Sequence, residues 1–464
     1  MTELSQNTEG GKPADPAKLR KVISASSVGT LIEWYDFYIY GSLAVVFSKM
    51  FFPEGNATAA LLISIAAFGT GFVVRPIGAL VFGRMGDRIG RKKTFLTTLL
   101  LMGGATSAIG LLPTYSAIGF AAPILLVLMR LLQGLAIGGE YGGAAIYIAE
   151  HSPRTKRGGY TSVLQTTAAL GLLLSIIVTI SCRFVVGEEA FNAWGWRIPF
   201  LLSAVLVIFS LKVRLKMHES PVFEEMREAG KLSQSPLRDA LANKNVLALV
   251  IVTMLGITAG LGVAWYTSQF YSMYFMQTVL GMNFLEANIC VGVALVIGTP
   301  FFVVFGRLSD RFGRPPFILA GLALSAIGFF PLFSWIQAAA PSRDYVQIVA
   351  SVTIQVLFIT MIYGPLAAFL VELFPPQIRY TTVSLAYHIG LGVVGGFTPL
   401  IALAATSSSG NDLAGLIYPL VMTSLSFIIC LVALRKGTAS PLVRRAWEQE
   451  EKSITTTIPA LPTS

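Results

Sequence analysis

The sequence predicts an all-α membrane protein: twelve transmembrane helices in two pseudo-symmetric six-helix bundles, both termini cytoplasmic. Three observations lead there. Charged residues make up 12% of the 464-residue chain and apolar residues 54%, with a mean hydropathy of +0.69, whereas an ordinary soluble domain carries about 25% charge. Apolar runs recur from Leu31 to Leu434, long enough to meet the roughly 18 residues that crossing a hydrocarbon core requires. The chain also repeats itself. Gly83-Arg-Met-Gly-Asp87-Arg88-Ile-Gly90-Arg91 returns as Gly306-Arg-Leu-Ser-Asp310-Arg311-Phe-Gly313-Arg314 at an offset of 223, and Glu150 with Pro153 and Arg157 returns as Glu372 with Pro375 and Arg379 at 222. Two independent motifs at one offset mark a parallel duplication of six spans.

Taken in order, residues 1–25 form a polar, basic tail with no apolar run leading to a small-residue cleavage site, so no removable signal peptide is expected and the tail stays in the cytosol. Apolar stretches bounded by charge, Pro or Gly place spans at Ser26 to Phe47, Ala59 to Phe82, Thr94 to Leu112, Gly119 to Ala149, Tyr160 to Phe184 and Ile198 to Leu211. These make up a first bundle over 26–211. A charged connector, 212–245, precedes a second bundle over 246–434. Its spans are Val246 to Met276, Asn288 to Phe305, Phe317 to Ile336, Val346 to Val371, Thr382 to Ala404 and Leu413 to Leu434, and a tail, 435–464, follows. On this layout 28 of the 34 Lys and Arg fall on one side and four on the other, with Arg75 and Arg130 inside spans. Loop Lys and Arg collect on the cytoplasmic side, which puts both ends of the chain there.

The same arithmetic excludes other classes. A net charge of +10 could serve nucleic acid, but the bases sit in short clusters between spans and read as topology. Cys182, Cys290 and Cys430 lie in or beside apolar segments with no CxxC spacing, so neither a disulfide framework nor a metal site is expected. No soluble domain of signalling size is present, and the spans carry no paired set of catalytic or metal-ligating side chains.

The loop at Gly83 to Lys93, its echo at Gly306 to Arg314 and the two sets of six spans resemble the major facilitator superfamily. Glu33-Trp-Tyr-Asp36-Phe-Tyr-Ile-Tyr-Gly41, Arg75-Pro-Ile-Gly78, Arg130-Leu-Leu-Gln-Gly134-Leu-Ala-Ile-Gly-Gly-Glu140-Tyr-Gly-Gly143 and Trp194-Gly-Trp-Arg-Ile-Pro199 are similar to the metabolite:proton symporter branch, which includes alpha-ketoglutarate, shikimate and proline/betaine carriers. The resemblance implies a substrate site between the halves near mid-membrane. It also implies uptake of a small organic metabolite driven by protons, in a bacterial inner membrane and with no cofactor beyond the coupling ion. A monomer is the expected working unit, with the bilayer and a small-molecule acid as its partners.

Glu33, Asp36, Arg75, Arg130 and Glu140 lie within spans of the first half, where a charge at the centre of an isolated helix costs about 2.5–3.5 kcal/mol. Such residues face a cavity and pair. Gly29, Glu33, Asp36 and Tyr40 follow i, i+4, i+7, i+11 and line one face, which is expected to look into the central space. Asp36 beside Arg130 is the preferred proton site, with Glu33 as competitor. The related sugar porters use an acid–base pair on these two spans. The alternative is a static pair that only fixes packing. Arg75 and Glu140 lie at similar depth and form either a second pair or, through Arg75, a contact with an anionic substrate.

Deep uncharged polar and aromatic side chains, which the bilayer cannot satisfy, supply the candidate substrate contacts: Tyr40, Gln165, Trp265, Tyr266, Gln269, Tyr363, Tyr387 and His388, together with Arg75. Sugar porters resemble this chain in a substrate-binding glutamine at the place of Gln165. Gly83, Asp87, Arg88, Gly90, Arg91, Glu150 and Arg157, with Asp310, Arg311, Arg314, Glu372 and Arg379, form a gate motif at the cytoplasmic ends. Positive-inside topology explains its bases but not its recurring acids. Gly134, Gly138 and Gly142 repeat at i+4, a pattern that lets helices touch, and Pro300, Pro331, Pro365 and Pro399 with Gly390, Gly392, Gly395 and Gly396 are candidate bends.

The function expected is a proton-coupled importer of a di- or tricarboxylate or a cyclic hydroxy acid. A carrier of zwitterions such as proline or betaine is the alternative, weakened by a C-terminal tail with no sustained heptad. A proton antiporter ranks lower: the fifth span, Tyr160 to Ile180, contains Gly171 but no Pro.

Overall fold

A computed structural model describes residues 16–53, 55–89, 91–139, 141–215, 243–375, 378–434 and 441–445. Eleven helices among the described residues are long and apolar enough to cross a membrane. The helix preceding them, α1 (Pro16–Ser42), carries Glu33 and Asp36 within its apolar part yet is buried along its length from Ile32 to Ser42, which completes twelve spans.

The first bundle comprises α1, α2 (Ala57–Val73 continuing as Arg75–Ile89), α3 (Arg91–Leu111), α4 (Ala121–Gly138 continuing as Tyr141–His151), α5 (Arg157–Val186) and α6 (Arg197–Leu215). The second comprises α7 (Lys244–Thr278), α8 (Phe284–Phe312), α9 (Arg314–Ala339), α10 (Tyr345–Leu373), α11 (Arg379–Ser409) and α12 (Ile417–Leu434). Helix starts follow local chemistry. Asn56 accepts from the Ala59 amide and Asn243 from the Val246 amide, while Asn283 and Glu286 form a reciprocal capping box. The sixth span runs four residues beyond the expected Leu211 and so takes Arg214 into the bundle.

Interruptions fall where the backbone loses a donor. α2 breaks at Val74, just before Pro76, and α8 breaks at Thr299, just before Pro300; a ring nitrogen cannot close the helical hydrogen bond to residue i−4. Pro331 and Pro365 lie inside continuous helices, and Gly390 and Gly392 fall in a π-helical stretch of α11, His388–Val394. Glycine sets the closest approaches. A Cβ on Gly134 would run into the Gly71 carbonyl, and one on Gly138 into the Arg75 carbonyl, so α2 and α4 touch through backbone.

The two bundles meet along α1, α2, α4 and α5 on one side and α7, α8, α10 and α11 on the other. Gly134→Leu is expected to drive α2 from α4 and lower the thermal stability of detergent-solubilised protein by roughly 1–3 kcal/mol. Gly104→Ala, whose Cβ meets open space within a helix, leaves the midpoint unchanged or slightly raised; equal midpoints for the two variants would remove the packing argument.

Candidate functional site

Arg75 opens the second part of α2, immediately after the break that Pro76 imposes, and its side chain is wholly buried between the bundles. The guanidinium carbon lies 4.2 Å from the Phe37 ring centroid, 4.4 Å from Phe72 and 5.5 Å from Trp34. The Tyr266 hydroxyl lies beside it, but none of its three nitrogens makes a well-formed hydrogen bond among the described residues. Ring faces attract a cation by about 0.5–2 kcal/mol each, but they accept none of its five N–H groups along a lone pair. The arrangement holds the charge in place and leaves its hydrogen bonds open.

Other unfilled polar atoms belong to the same region. Trp265 Nε1 and the carbonyl oxygens of Gln165 and Gln269 lack partners among the described residues, while the Tyr266 hydroxyl lies against Tyr38 and Arg75 and the His388 ring against the Gly138 backbone without a well-formed hydrogen bond. A connected series of side chains ties them together. Gln165 Nε2 donates to the Tyr141 hydroxyl at 2.7 Å, Tyr141 stacks on Tyr387 with centroids 3.6 Å apart, and the Tyr387 and Tyr363 hydroxyls share a 2.6 Å bond. Tyr363 meets Trp265 edge-on at 5.9 Å, and Trp265 lies over Tyr38 at 6.3 Å. Tyr266 packs edge-on to Phe72 at 5.0 Å. Side chains from α1, α2, α4 and α5 thus converge on one central region with side chains from α7, α10 and α11. Gln269 Nε2 donates to the Ser268 hydroxyl at 3.3 Å and makes no link in this series.

The expected acid–base geometry needs correction. Gly29, Glu33, Asp36 and Tyr40 do not line the central space. A Cβ on Gly29 would run into Arg214 of α6, Glu33 forms an ion pair with Arg214 at 3.3 Å, and Asp36 faces the Ser203 hydroxyl of the same helix. Tyr40 donates to the Ser64 carbonyl at 3.1 Å. The inward face of α1 is instead Trp34, Phe37, Tyr38 and Gly41, against which Arg75, Trp265 and Phe270 pack.

Asp36 and Arg130 form no ion pair. Arg130 donates to the Phe37 carbonyl at 3.2 Å, to Gln133 Oε1 at 2.7 Å and to the Phe68 carbonyl at 3.3 Å, and its guanidinium covers the Phe37 ring at 4.1 Å. Gln133 in turn donates to the Asp36 backbone carbonyl and to Thr106. Backbone oxygens and a glutamine therefore take the role expected of the carboxylate. Both carboxylate oxygens of Asp36 are buried with the Ser203 hydroxyl facing them and no cation beside them among the described residues. Glu140 lies outside the described residues.

At the basic end, contacts cross from one bundle to the other. Asp310 accepts from the Gly158 and Gly159 amides at 2.8 Å each, at the positive start of α5, and from Arg314 at 2.7 Å. Arg314 reaches Glu372 at 3.3 Å, Arg157 lies 4.0 Å from Glu372, and Arg379 bridges to Glu150 at 3.4 Å. Tyr380 donates to the Gly139 carbonyl at 2.7 Å and also lies beside Gly83. Arg311 departs from the motif, being exposed over the Phe312 ring. Gly90 and the side chains of Asp87, Arg88 and Arg91 lie outside the described residues. At the opposite end Tyr274 donates to the Gly41 carbonyl at 2.7 Å, and Phe397 packs on Gly69. The central side chains are shut from both ends.

Sequence reasoning missed Arg214, Gln133, Tyr38 and Tyr141. Gln133 and Tyr141 stand inside the Arg130 to Gly143 motif, where their polarity at span depth was the available signal. Arg214 was counted with the connector.

Fold and site define a polytopic helical carrier with one enclosed polar centre between two bundles. The profile described as "Sugar (and other) transporter" matches residues 21–243, and that of the "Major Facilitator Superfamily" matches 270–461. The chain is 39% identical over 426 residues to the inner membrane metabolite transport protein YhjE of Escherichia coli, covering 89% of this chain and 93% of that one. It is 35% identical over 421 residues to the alpha-ketoglutarate permease of the same organism, covering 90% and 94%. To the proline/betaine transporter of Salmonella typhimurium it is 35% identical over 437 residues, covering 92% and 86%. The solved proton:xylose symporter XylE, bound to 6-bromo-6-deoxy-D-glucose, shares the fold with a TM-score of 0.71 at 20% identity, over 90% of this chain and 96% of its own. The chain belongs to the major facilitator superfamily and is a transporter, not an enzyme.

Removing one partner of the Glu33–Arg214 pair strands a buried charge. Arg214→Ala is expected to lower unfolding stability in detergent by about 3–5 kcal/mol, and the double variant Glu33→Gln, Arg214→Gln to recover most of it. Equal losses in the single and double variants would mean the pair is not coupled.

Proposed function

We propose that the chain imports a small organic acid, a di- or tricarboxylate or a cyclic hydroxy acid, by proton symport across a bacterial inner membrane. Both termini lie in the cytoplasm, the monomer is the working unit, and protons alone serve as the coupling ion. The observation that carries this reading is Arg75, a fully buried guanidinium with no carboxylate partner among the described residues, placed between the two halves. A carboxylate is the natural complement of that fork, since two parallel N–H···O bonds form at once. The Tyr266 hydroxyl and Trp265 Nε1 add neutral donors from the second bundle.

Alternating access follows from where the closing contacts lie. An acid entering from the side opposite the basic end is enclosed when Tyr274 and Phe397 meet Gly41 and Gly69. Release towards the cytoplasm requires the Tyr141–Tyr387 stack and the Arg379–Glu150 and Asp310–Gly158 contacts to part. Asp36 is the proton carrier. A buried carboxylate without a cation beside it is costly when ionised, so the closed form accepts it as the neutral acid, and separation of α1 from α6 lets the proton leave. Glu33 competes for that role but already holds Arg214.

The runner-up is import of a zwitterionic osmolyte. Relatives named for proline and betaine are as similar as the one named for alpha-ketoglutarate, and a zwitterion also brings a carboxylate to Arg75. Export by antiport has only the shared superfamily in its favour.

The deciding experiment is solute-driven proton influx into proteoliposomes, with dicarboxylates, tricarboxylates, cyclic hydroxy acids, proline and betaine each offered alone. Influx with acids is the expected result; influx with betaine or proline only would replace the acid reading by the osmolyte one. Asp36→Asn is expected to abolish uphill accumulation while exchange of labelled substrate persists, and full accumulation would transfer the proton to Glu33 or elsewhere. Gln165→Ala raises the half-saturation concentration by about three- to tenfold, the size of one neutral hydrogen bond; an unchanged value would take Gln165 out of the site.

A further inference from the structure

Resting on that acid-symport reading, we infer that the substrate is a ring-bearing monocarboxylate with one net negative charge, taken up with one proton in an electroneutral step. Of the arginines buried within the spans, Arg130 is engaged by Gln133 and two backbone carbonyls, and Arg214 by Glu33. Arg130 keeps only its Nε unpaired, whereas all three nitrogens of Arg75 lack a well-formed hydrogen bond among the described residues, so Arg75 is the cation that presents its whole fork. One guanidinium fork matches one carboxylate.

A second carboxylate finds no second free cation among the described residues at the centre. Around Arg75 the walls are the ring faces and edges of Trp34, Phe37, Phe72, Tyr38, Trp265 and Tyr266. An ionised group pressed against those faces gives up its hydration without gaining a cation, which costs far more than a neutral body pays there. A compact ring suits the same walls, burying apolar area against aromatic faces. Hydroxyl substituents on it would meet the Tyr363–Tyr387 hydroxyl pair, the open Oε1 of Gln165 and the ring nitrogens of His388.

A compensating ammonium on the substrate is disfavoured for a related reason. The faces of Phe37 and Phe72 already hold the Arg75 guanidinium, Trp265 and Tyr38 cover one another, and Asp36 is turned towards Ser203 of α6. No acid among the described residues faces the central space. Charge balance then sets the stoichiometry. Among the acids whose side chains are described in the spans of the first bundle, Glu33 and Glu150 hold arginines and Asp36 does not, and with Asp36 as the carrier one proton accompanies one carboxylate and no net charge crosses.

The test uses the full chain in proteoliposomes, with benzoate, cyclohexanecarboxylate and a polyhydroxylated cyclohexanecarboxylate set against phthalate, succinate and betaine. Ring monocarboxylates are expected to show half-saturation at least about tenfold below that of phthalate, a difference of about 1.4 kcal/mol. An imposed pH gradient drives their uptake, and a potassium diffusion potential without a pH gradient does not. Phthalate or succinate carried as well as the monocarboxylates, or uptake that follows the potential, would overturn the inference and leave acid symport standing. Uptake of betaine with none of the acids would overturn both.

Discussion

A guanidinium in the middle of a bilayer must be held, and the way Arg75 is held organises much of this molecule. Pro76 removes an amide from α2, the helix breaks at Val74, and the next residue is carried into the gap between the bundles. Phe37 and Phe72 then cover the planar faces of the cation, which fixes the rotation of α1 as well as that of α2. With Phe37 turned inward, Asp36 is one residue and about 100° further round the helix. It therefore faces α6. The acid is separated from the central space by the same contact that places the cation within it.

Backbone contact between α2 and α4 makes this arrangement stiff. Gly71 and Gly134, and Gly138 and the Arg75 carbonyl, approach so closely that no side chain fits between them. Arg130 adds polar ties from α4 to α1 and α2 through the Phe37 and Phe68 carbonyls. In hydrocarbon, where water offers no competing partner, such short backbone approaches and carbonyl contacts take the place of hydrophobic burial as the source of specificity. The second bundle has softer elements at the matching depth. α7 and α11 carry π-helical turns at Met254–Thr258, Thr267–Tyr271 and His388–Val394, and these bracket Trp265, Tyr266 and Tyr387.

Much of this was legible in the sequence, for reasons that differ by feature. The spans could be read because a bilayer tolerates little else than apolar helices. The gate motif could be read because acids recur at one offset in loops where topology explains only bases, and Asp310, Glu150 and Glu372 do cross between bundles. Arg75 stood out because a charge inside a span demands a reason. Pairings could not be read. Whether Asp36 meets Arg130 depends on a rotation of α1 that periodicity leaves free, and the aromatic faces that decide it are on another helix. Arg214 was hidden by span length: with α6 ending at Leu211 it belongs to the connector, and four more residues of helix make it the partner of Glu33. Gln133 shows the complementary failure, since an uncharged residue can satisfy an arginine that reasoning from charge alone assigns to a carboxylate.

The separation of acid and cation has a consequence for coupling. If Asp36 and Arg75 shared one cavity, proton and substrate could exchange directly through a common ion pair. Here they lie on opposite sides of α1, so neither can sense the other except through that helix. A substrate carboxylate on Arg75 changes what the guanidinium asks of Phe37 and Trp34, and any rotation of α1 that follows moves Asp36 relative to Ser203 and Glu33 relative to Arg214. Binding free energy is then linked to proton affinity through a mechanical element, as reciprocal coupling between two sites requires. The Glu33–Arg214 pair gives that element a defined seat, because turning α1 away from α6 must break a buried ion pair. On the proposed reading, with the proton on Asp36 and a substrate carboxylate on Arg75, the proton is retained until α1 moves, and α1 is held by the arginine that receives the substrate.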